Sequence, residues 1–234
     1  MTRTTNATIA GFTFLFYTAV ALCSDVLMHH ATGVAGDSAK LARFGEYATD
    51  VRLAILFRLL ECFSALVLAA VMYGITRDQN HELAVLAMVC RVAEGLLTVL
   101  SIPSFLGVLW LAKAAVGTDV PDINTKNALL SFLLMPVPSV PLSAIFFAVG
   151  SLIFSWLLLR GRIVSVSIAG FGVFATGLLA VLLPLQLAGF NTGPLSGFYQ
   201  WLPELVYQTA LALLFLIKGV ATPETALRAP SQDA

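Results

Sequence analysis

Two arginine–glutamate pairs stand inside otherwise apolar segments of this chain. Arg58 precedes Glu61 and Arg91 precedes Glu94, each by three positions, so on a helix the two side chains of a pair share one face. Ionisable side chains within a membrane span are energetically costly and often functional. The chemistry that these residue types permit is ion pairing, proton binding and recognition of a polar head group.

Further polar side chains are expected at matching depths in the membrane. At 1.5 Å per residue, Arg58 and Glu204 fall roughly 8 Å below one edge of the hydrocarbon core and Asp25 roughly 5 Å below it. Glu61 and Glu94 fall at about 12 to 15 Å, near the midplane. We therefore predict one interior polar layer whose candidate ligand-binding residues are Asp25, Arg58, Glu61, Arg91, Glu94, Glu204, Tyr207 and Gln208.

Four acids and only two arginines belong to this predicted layer. Buried charges must be paired, or the acids must take up protons, so at least one acid, Glu61 or Glu94, is expected to hold a proton. Two interpretations of the layer remain open. The arginine–glutamate pairs fix the helix register, or the layer forms a polar pocket open to one side of the membrane.

The composition identifies the class of protein. The chain has 234 residues, of which 59% are hydrophobic and 11% are charged, with no net charge. A typical soluble chain has roughly 25% charged residues. We predict an all-α, multi-pass membrane helix bundle formed by one domain, 1–222, followed by a polar tail, 223–234, expected to be disordered. Nothing in the sequence indicates nucleic-acid binding, because it contains no basic run.

Six segments are long and apolar enough to cross a hydrocarbon core of about 30 Å. We predict spans over 8–28, 51–75, 83–111, 128–159, 163–187 and 201–220. A cleaved signal peptide is the competing interpretation of the first span.

The fourth predicted span is too long for one crossing, and Pro136, Pro138 and Pro141 break it. Either this helix is kinked, or 128–135 is a separate segment and 139–159 spans alone. The polar loop over 29–50 is predicted to contain a short amphipathic helix in the interface.

The distribution of basic residues predicts the orientation of the chain. An even number of spans places both termini on one side. The short loops on that side carry Arg77, Arg160 and Arg162, and short basic loops remain in the cytoplasm. We therefore expect an inner-membrane protein with cytoplasmic termini and an outward-facing, uncharged loop at 188–200.

No metal or cofactor site is indicated by the sequence. The three cysteines, Cys23, Cys62 and Cys90, lie in apolar spans without a CxxC spacing. His29 and His30 lie at the end of the first span, with no further histidine expected at their depth. No HExxH or phosphate-loop motif appears. The expected partners are the lipid bilayer and a small amphipathic ligand, and the oligomeric state stays open.

Short motifs over most of the chain match one known family. They are Ile9-Ala-Gly11, Arg58, Ile75-Thr-Arg77-Asp-Gln-Asn80, Leu83-Ala-Val-Leu-Ala with Arg91-Val-Ala-Glu94, Phe146-Phe147, Gly150, Leu157-Leu-Leu-Arg160 with Arg162, Leu202-Pro-Glu204, and Leu211 to Val220. On these motifs the chain resembles the bacterial domain-of-unknown-function 4386 family of integral membrane proteins.

This resemblance implies a six-span helical bundle and supports the importance of Arg91, Glu94 and Glu204. It implies no activity. The chain departs from the family pattern at Val164-Ser165, where a proline is usual, and in its cluster of three prolines in the fourth span.

Three functions are compatible with the sequence. The first is binding or transport of a small amphipathic or lipid-like molecule in the polar layer. The second is an intramembrane enzyme in which a protonated glutamate acts as general acid on a lipid or isoprenoid. The third is a structural or accessory membrane subunit. Whether the protein is an enzyme is left open by the sequence.

Overall fold

The computed structural model describes residues 3–34, 36–113, 123–133, 141–190, 193 and 197–219. Within these ranges the regular structure is entirely helical. The α-helices are α1 (Arg3–Thr32), α2 (Asp37–Glu46), α3 (Ala48–Thr76), α4 (His81–Val99), α5 (Ile102–Lys113), α6 (Ile123–Leu133), α7 (Leu142–Arg160), α8 (Val166–Leu187) and α9 (Leu202–Ile217), and a 3-10 helix covers Gly197–Trp201. The predicted tail, 223–234, lies outside the described residues.

Six helical segments among the described residues are long and apolar enough to cross a membrane. They are α1, α3, the α4–α5 segment His81–Lys113, α7, α8 and Tyr199–Ile217. The prediction of an all-α bundle with six membrane-spanning segments is therefore confirmed.

The third span is not one continuous helix. Its two parts, α4 and α5, are separated at Leu100 and Ser101. Pro103 follows in the first turn of α5, where a missing backbone donor is tolerated. The Ser101 hydroxyl donates to the Thr98 carbonyl at 2.8 Å and thereby satisfies one carbonyl that the interrupted helix leaves free. The span predicted at 83–111 is present as the segment His81–Lys113, which contains this break.

The fourth predicted span is divided into α6 and α7. With 11 residues, α6 is too short to cross the bilayer, whereas the 19-residue α7 is long enough. Pro141 has an extended backbone and directly precedes α7, because proline cannot donate within a helix interior. Pro136 and Pro138 lie outside the described residues. These bounds agree with the arrangement in which the segment after the prolines spans alone.

The six spanning segments pack in a closed ring. Around the ring, α1 contacts α3, α3 contacts α4, α4 contacts α7, α7 contacts α8, α8 contacts α9, and α9 returns to α1. The main apolar core runs along the inside of the ring. It includes Phe14, Leu68 and Phe215 in the half that carries the N-terminus, and Phe147 and Leu183 in the other half. Apolar packing therefore extends into both halves of the ring.

The opposite end carries a second apolar cluster. The predicted helix within 29–50 is present as α2, but its Phe44 is fully buried in a cluster with Val108 and Leu130. Through this cluster α2 packs on α5 and α6. The helix therefore rests on other protein elements rather than on lipid head groups alone.

Candidate functional site

The deeper arginine–glutamate pair lies on α4 and is almost completely buried. Nη1 of Arg91 lies 2.7 Å from Oε2 of Glu94, and each side chain is only 3% exposed. On α1, the hydroxyl of Tyr17 donates to Oε1 of Glu94 at 2.6 Å. The ion pair predicted from the spacing is therefore confirmed, and the structure adds a tyrosine donor from another helix.

Aromatic rings surround the Arg91 guanidinium. Its central carbon lies 5.2 Å from the Tyr17 ring centroid and 4.9 Å from the Phe147 centroid, both within cation–π range. The absence of a side chain at Gly150 lets α7 approach α4, because an added Cβ would lie 3.2 Å from Cγ of Arg91. Glycine thus places Phe147 and its helix close to the buried cation.

The second arginine–glutamate pair, Arg58 and Glu61, is more exposed to solvent than the first and includes an acid from another helix. Nη1 of Arg58 lies 3.1 Å from Oε2 of Glu61 on the same helix, and its Nη2 lies 2.6 Å from Oδ1 of Asp25 on α1. The exposed fraction of the side chain is 24% for Arg58, 65% for Asp25 and 9% for Glu61. The pair predicted from sequence is confirmed, and Arg58 also connects α1 to α3.

The fourth acid, Glu204, is buried without a cation. It lies in the first turn of α9, where the partial positive charge of a helix N-terminus favours a carboxylate. Its Oε1 accepts from Nε2 of Gln208 at 3.0 Å, and Oε1 of Gln208 accepts from the Thr18 hydroxyl at 3.1 Å. Among the described residues, its Oε2 has no hydrogen-bond partner and no arginine or lysine lies within ion-pair distance.

A cavity of about 460 Å³ lies between α1, α3, α4, α7 and α9. It occupies the half of the bundle where α8 ends and α9 begins, the end away from the chain's N-terminus. Six of the eight residues selected from the sequence line it: Asp25, Arg58, Glu61, Glu94, Glu204 and Gln208. Phe147, Trp201 and Leu205 supply apolar wall on other sides.

The other two selected residues lie behind this cavity. Arg91 and Tyr207 line a neighbouring space of about 10 Å³, which is enough for roughly one water molecule. The Tyr207 hydroxyl is hydrogen-bonded to the Ser155 hydroxyl at 2.9 Å. These two side chains therefore lie next to the polar residues of the larger cavity but do not line that cavity.

Sequence reasoning missed four polar residues of the cavity wall, Tyr17, Thr18, Thr98 and Ser143. Tyr17 and Thr18 line it beside Asp25. Tyr17 and Asp25 are separated by eight residues, which places them on the same face of α1. A search for polar side chains at helical spacing from Asp25 would have found Tyr17.

The chain was compared with known families and proteins. The family model described as "Domain of unknown function (DUF4386)" matches residues 9–219. No curated protein and no solved structure matches the chain.

Proposed function

This chain belongs to the family described as domain of unknown function (DUF4386), and we propose that it binds one small amphipathic molecule in the cavity of its membrane bundle. The observation that carries the proposal is the combination of the cavity with a buried carboxylate, Glu204, that lacks a cationic partner.

The size and lining of the cavity support a small ligand with two unlike ends. Its volume of about 460 Å³ lies within the roughly 300–1,000 Å³ typical of small-molecule pockets. Glu204 and Gln208 offer polar atoms on one side, whereas Phe147, Trp201 and Leu205 offer apolar surface. A molecule with a polar head and a short hydrocarbon body matches this division.

The balance of charge favours a cationic or hydrogen-bond-donating head group. Arg58 pairs with Asp25 and Glu61, and Arg91 pairs with Glu94. Glu204 therefore has neither arginine within ion-pair distance, although Arg91 lines the same small space behind the cavity. A buried carboxyl group without a partner is costly unless it holds a proton or meets a donor. An ammonium head would supply both the donor and the missing positive charge.

The cavity lies towards one end of the bundle, which favours binding over transport. In the half of the ring that carries the N-terminus, Phe14, Leu68 and Phe215 belong to the apolar core. Transport requires access from both sides in alternation. A binding protein requires only the one-sided access that this arrangement offers.

The basic residues of the short turns support one orientation of the chain. We propose that the protein lies in the inner membrane with both termini in the cytoplasm, because Arg77 and Arg162 lie at the same end of the bundle as Arg3. The cavity then faces the outer half of the bilayer.

Tryptophan fluorescence offers a direct binding test. Substitution of Trp110 and Trp156 by phenylalanine leaves Trp201 in the cavity wall as the single tryptophan. In phosphatidylcholine nanodiscs we expect octylamine to change its fluorescence saturably, with octanol binding more weakly and octanoate weakest. Glu204→Gln should weaken octylamine at least about tenfold, because a hydrogen bond to a charged group contributes about 1.5–3 kcal/mol.

The matched control is Glu82→Gln, the same substitution at an exposed position in the first turn of α4. It should leave octylamine binding unchanged. Equal affinities for the amine and the carboxylate, or an affinity that Glu204→Gln leaves intact, would contradict the proposal.

A second candidate function is an intramembrane enzyme, and the observation that favours it is the burial of Glu204 in a cavity wall that also contains aromatic side chains. A protonated Glu204 beside Phe147 and Trp201 has the setting of a general acid for an isoprenoid-like substrate. Membrane lipids from cells that express the wild type or Glu204→Gln distinguish this function. A lipid product found only with the wild type would support it, and identical lipid profiles would oppose it.

A further inference from the structure

A second cleft lies at the other end of the bundle, between the start of α8 and the end of α9. Its volume is about 680 Å³. Ile168, Leu213 and Ile217 form part of its apolar wall, whereas Arg162, Ser165 and Lys218 provide polar groups. Because these polar residues lie where spans end, they are level with lipid head groups, and the apolar wall extends into the hydrocarbon region.

The charged residues described in the wall of this cleft are both basic. Arg162 and Lys218 are both exposed, and within the described part of the chain neither makes an ion pair. Among the residues that the structure describes, those that line the cleft include no aspartate or glutamate. Arg160, also exposed, lies two residues before Arg162 and adds a third cation at this end. The cleft is therefore complementary to an anion.

Arg162 holds its position at the cleft despite an unfavourable backbone. Its φ is +46°, a left-handed conformation that side chains with a Cβ rarely adopt. The turn is closed by hydrogen bonds from Arg162 N to Leu159 O at 3.1 Å and from Ile163 N to Leu158 O at 3.1 Å. This is the helix-ending arrangement that usually selects glycine at the left-handed residue. An arginine in such a position is consistent with a functional use of its charge.

We propose that this cleft binds one anionic phospholipid. The phosphate and the anionic head group lie between Arg162 and Lys218, with the Ser165 hydroxyl as a further donor, and an acyl chain lies along Ile168, Leu213 and Ile217. Zwitterionic lipids also carry a phosphate, but their ammonium group finds no acid among the lining residues. Basic pockets between spanning helices are established sites for anionic head groups. This proposal does not depend on the ligand of the larger cavity.

The test compares lipids by thermal unfolding and native mass spectrometry. Full-length protein in a neutral detergent is titrated with phosphatidylglycerol, phosphatidylcholine or inorganic phosphate. We expect phosphatidylglycerol to bind with one-to-one stoichiometry and to raise the unfolding temperature more than phosphatidylcholine does, with no effect of phosphate. Arg162→Gln and Lys218→Gln should each weaken phosphatidylglycerol about fivefold, because one basic residue near the surface contributes about that factor.

Arg162→Gly separates the backbone from the charge. Because glycine adopts the left-handed conformation without a penalty, this variant should unfold at a higher temperature than the wild type in the absence of lipid and yet gain less from phosphatidylglycerol. Arg77→Gln, which removes an exposed cation at the same end but outside the cleft, is the control and should bind the lipid normally.

Three other results would overturn the proposal. Equal stabilisation by phosphatidylglycerol and phosphatidylcholine would show that the cleft accepts bulk lipid without selection. Binding of phosphatidylglycerol that appears only after removal of residues 220–234 would assign the cleft to that segment of the chain. Undiminished lipid selectivity in the Arg162→Gln, Lys218→Gln double variant would place the lipid elsewhere.

Discussion

At the scale of single residues, the same sequence motif has two different environments. Arg91 and Glu94 are both 3% exposed and lie among aromatic rings. Arg58 is 24% exposed and has a second acid, Asp25, besides Glu61. Loss of one partner therefore leaves an uncompensated charge in the first pair but not in the second.

This difference predicts unequal effects of one substitution. Glu94→Gln leaves the buried Arg91 guanidinium without a counter-charge and should cost about 3–5 kcal/mol of stability. Glu61→Gln should cost about 1 kcal/mol or less, because Arg58 keeps Asp25 and is partly solvated. Thermal unfolding in detergent measures both variants.

A double variant tests the cause of the Glu94 effect. Arg91→Met combined with Glu94→Gln removes both charges and should be more stable than Glu94→Gln alone. Glu82→Gln on the exposed first turn of α4 should match the wild type. Equal losses for Glu94→Gln and Glu61→Gln would refute the assignment of different burial to the two pairs.

The residue-scale features that the sequence predicted are those set within one helix. A spacing of three places Arg91 beside Glu94 in any α-helix, so the ion pair could be foreseen. The Tyr17 donor is 77 positions from Glu94, and the sequence contains no local signal for contacts over such a distance. Tyr207 shows the reverse error: its depth was suitable, but its hydroxyl turns to Ser155 instead of the cavity.

At the scale of elements, the packing of α8 against α9 depends on a missing side chain. A Cβ added at Gly172 would overlap the Tyr207 ring. The stripe of Gly172 and Thr176, both buried in α8, therefore gives α9 a close approach that holds Tyr207 in place. Because Glu204 and Gln208 are on the same helix, this contact also positions part of the cavity wall.

Two glycines of α8 form a matched pair for testing this contact. Gly172→Ala should destabilise the protein by about 1–3 kcal/mol through overpacking against Tyr207. Gly170→Ala, two residues away with open space around its Cβ, should be neutral or stabilising. Thermal unfolding measures the stability of the two variants. Adding Tyr207→Leu to Gly172→Ala should reduce the loss of stability that Gly172→Ala causes. If both alanine variants unfolded alike, the close contact would not be a determinant of stability.

Element boundaries were foreseen where composition changes sharply and missed where it does not. The polar turn before His81 separates two apolar runs, so α3 and α4 were predicted as separate spans at 51–75 and 83–111. The break at Leu100 and Ser101 lies in a run that remains apolar, and Pro103 was its only local signal. The prolines around 141 were informative because they occur together.

At the scale of the whole molecule, the number of spans was predictable but their arrangement was not. The hydropathy of the sequence gives the number of apolar segments that can cross the membrane. The order of the helices around the ring, α1, α3, α4, α7, α8 and α9, depends instead on which helix surfaces pack against one another. The volume enclosed by the ring, and hence the cavity, could not be read from the sequence for the same reason.

The orientation of the ring leads to a labelling experiment. Cys23, Cys62 and Cys90 are first replaced by alanine, and a single cysteine is then placed at Glu82 or at Phe190, both exposed and at opposite ends. In sealed right-side-out vesicles, a membrane-impermeant maleimide should label Phe190→Cys and not Glu82→Cys, because the basic short turns stay in the cytoplasm. The opposite labelling pattern would invert the topology, and disruption of the vesicles should make both positions reactive.

The contact between α1 and α9 has a consequence for biosynthesis. Tyr17 is on α1 and Glu204 is on α9, which is translated later, so α9 must be made before these two walls can meet. Because α9 lies between α8 and α1 in the ring, the ring stays open between α8 and α1 until α9 is inserted. The cavity for which we propose a ligand is in this way complete only in chains whose synthesis has passed α9.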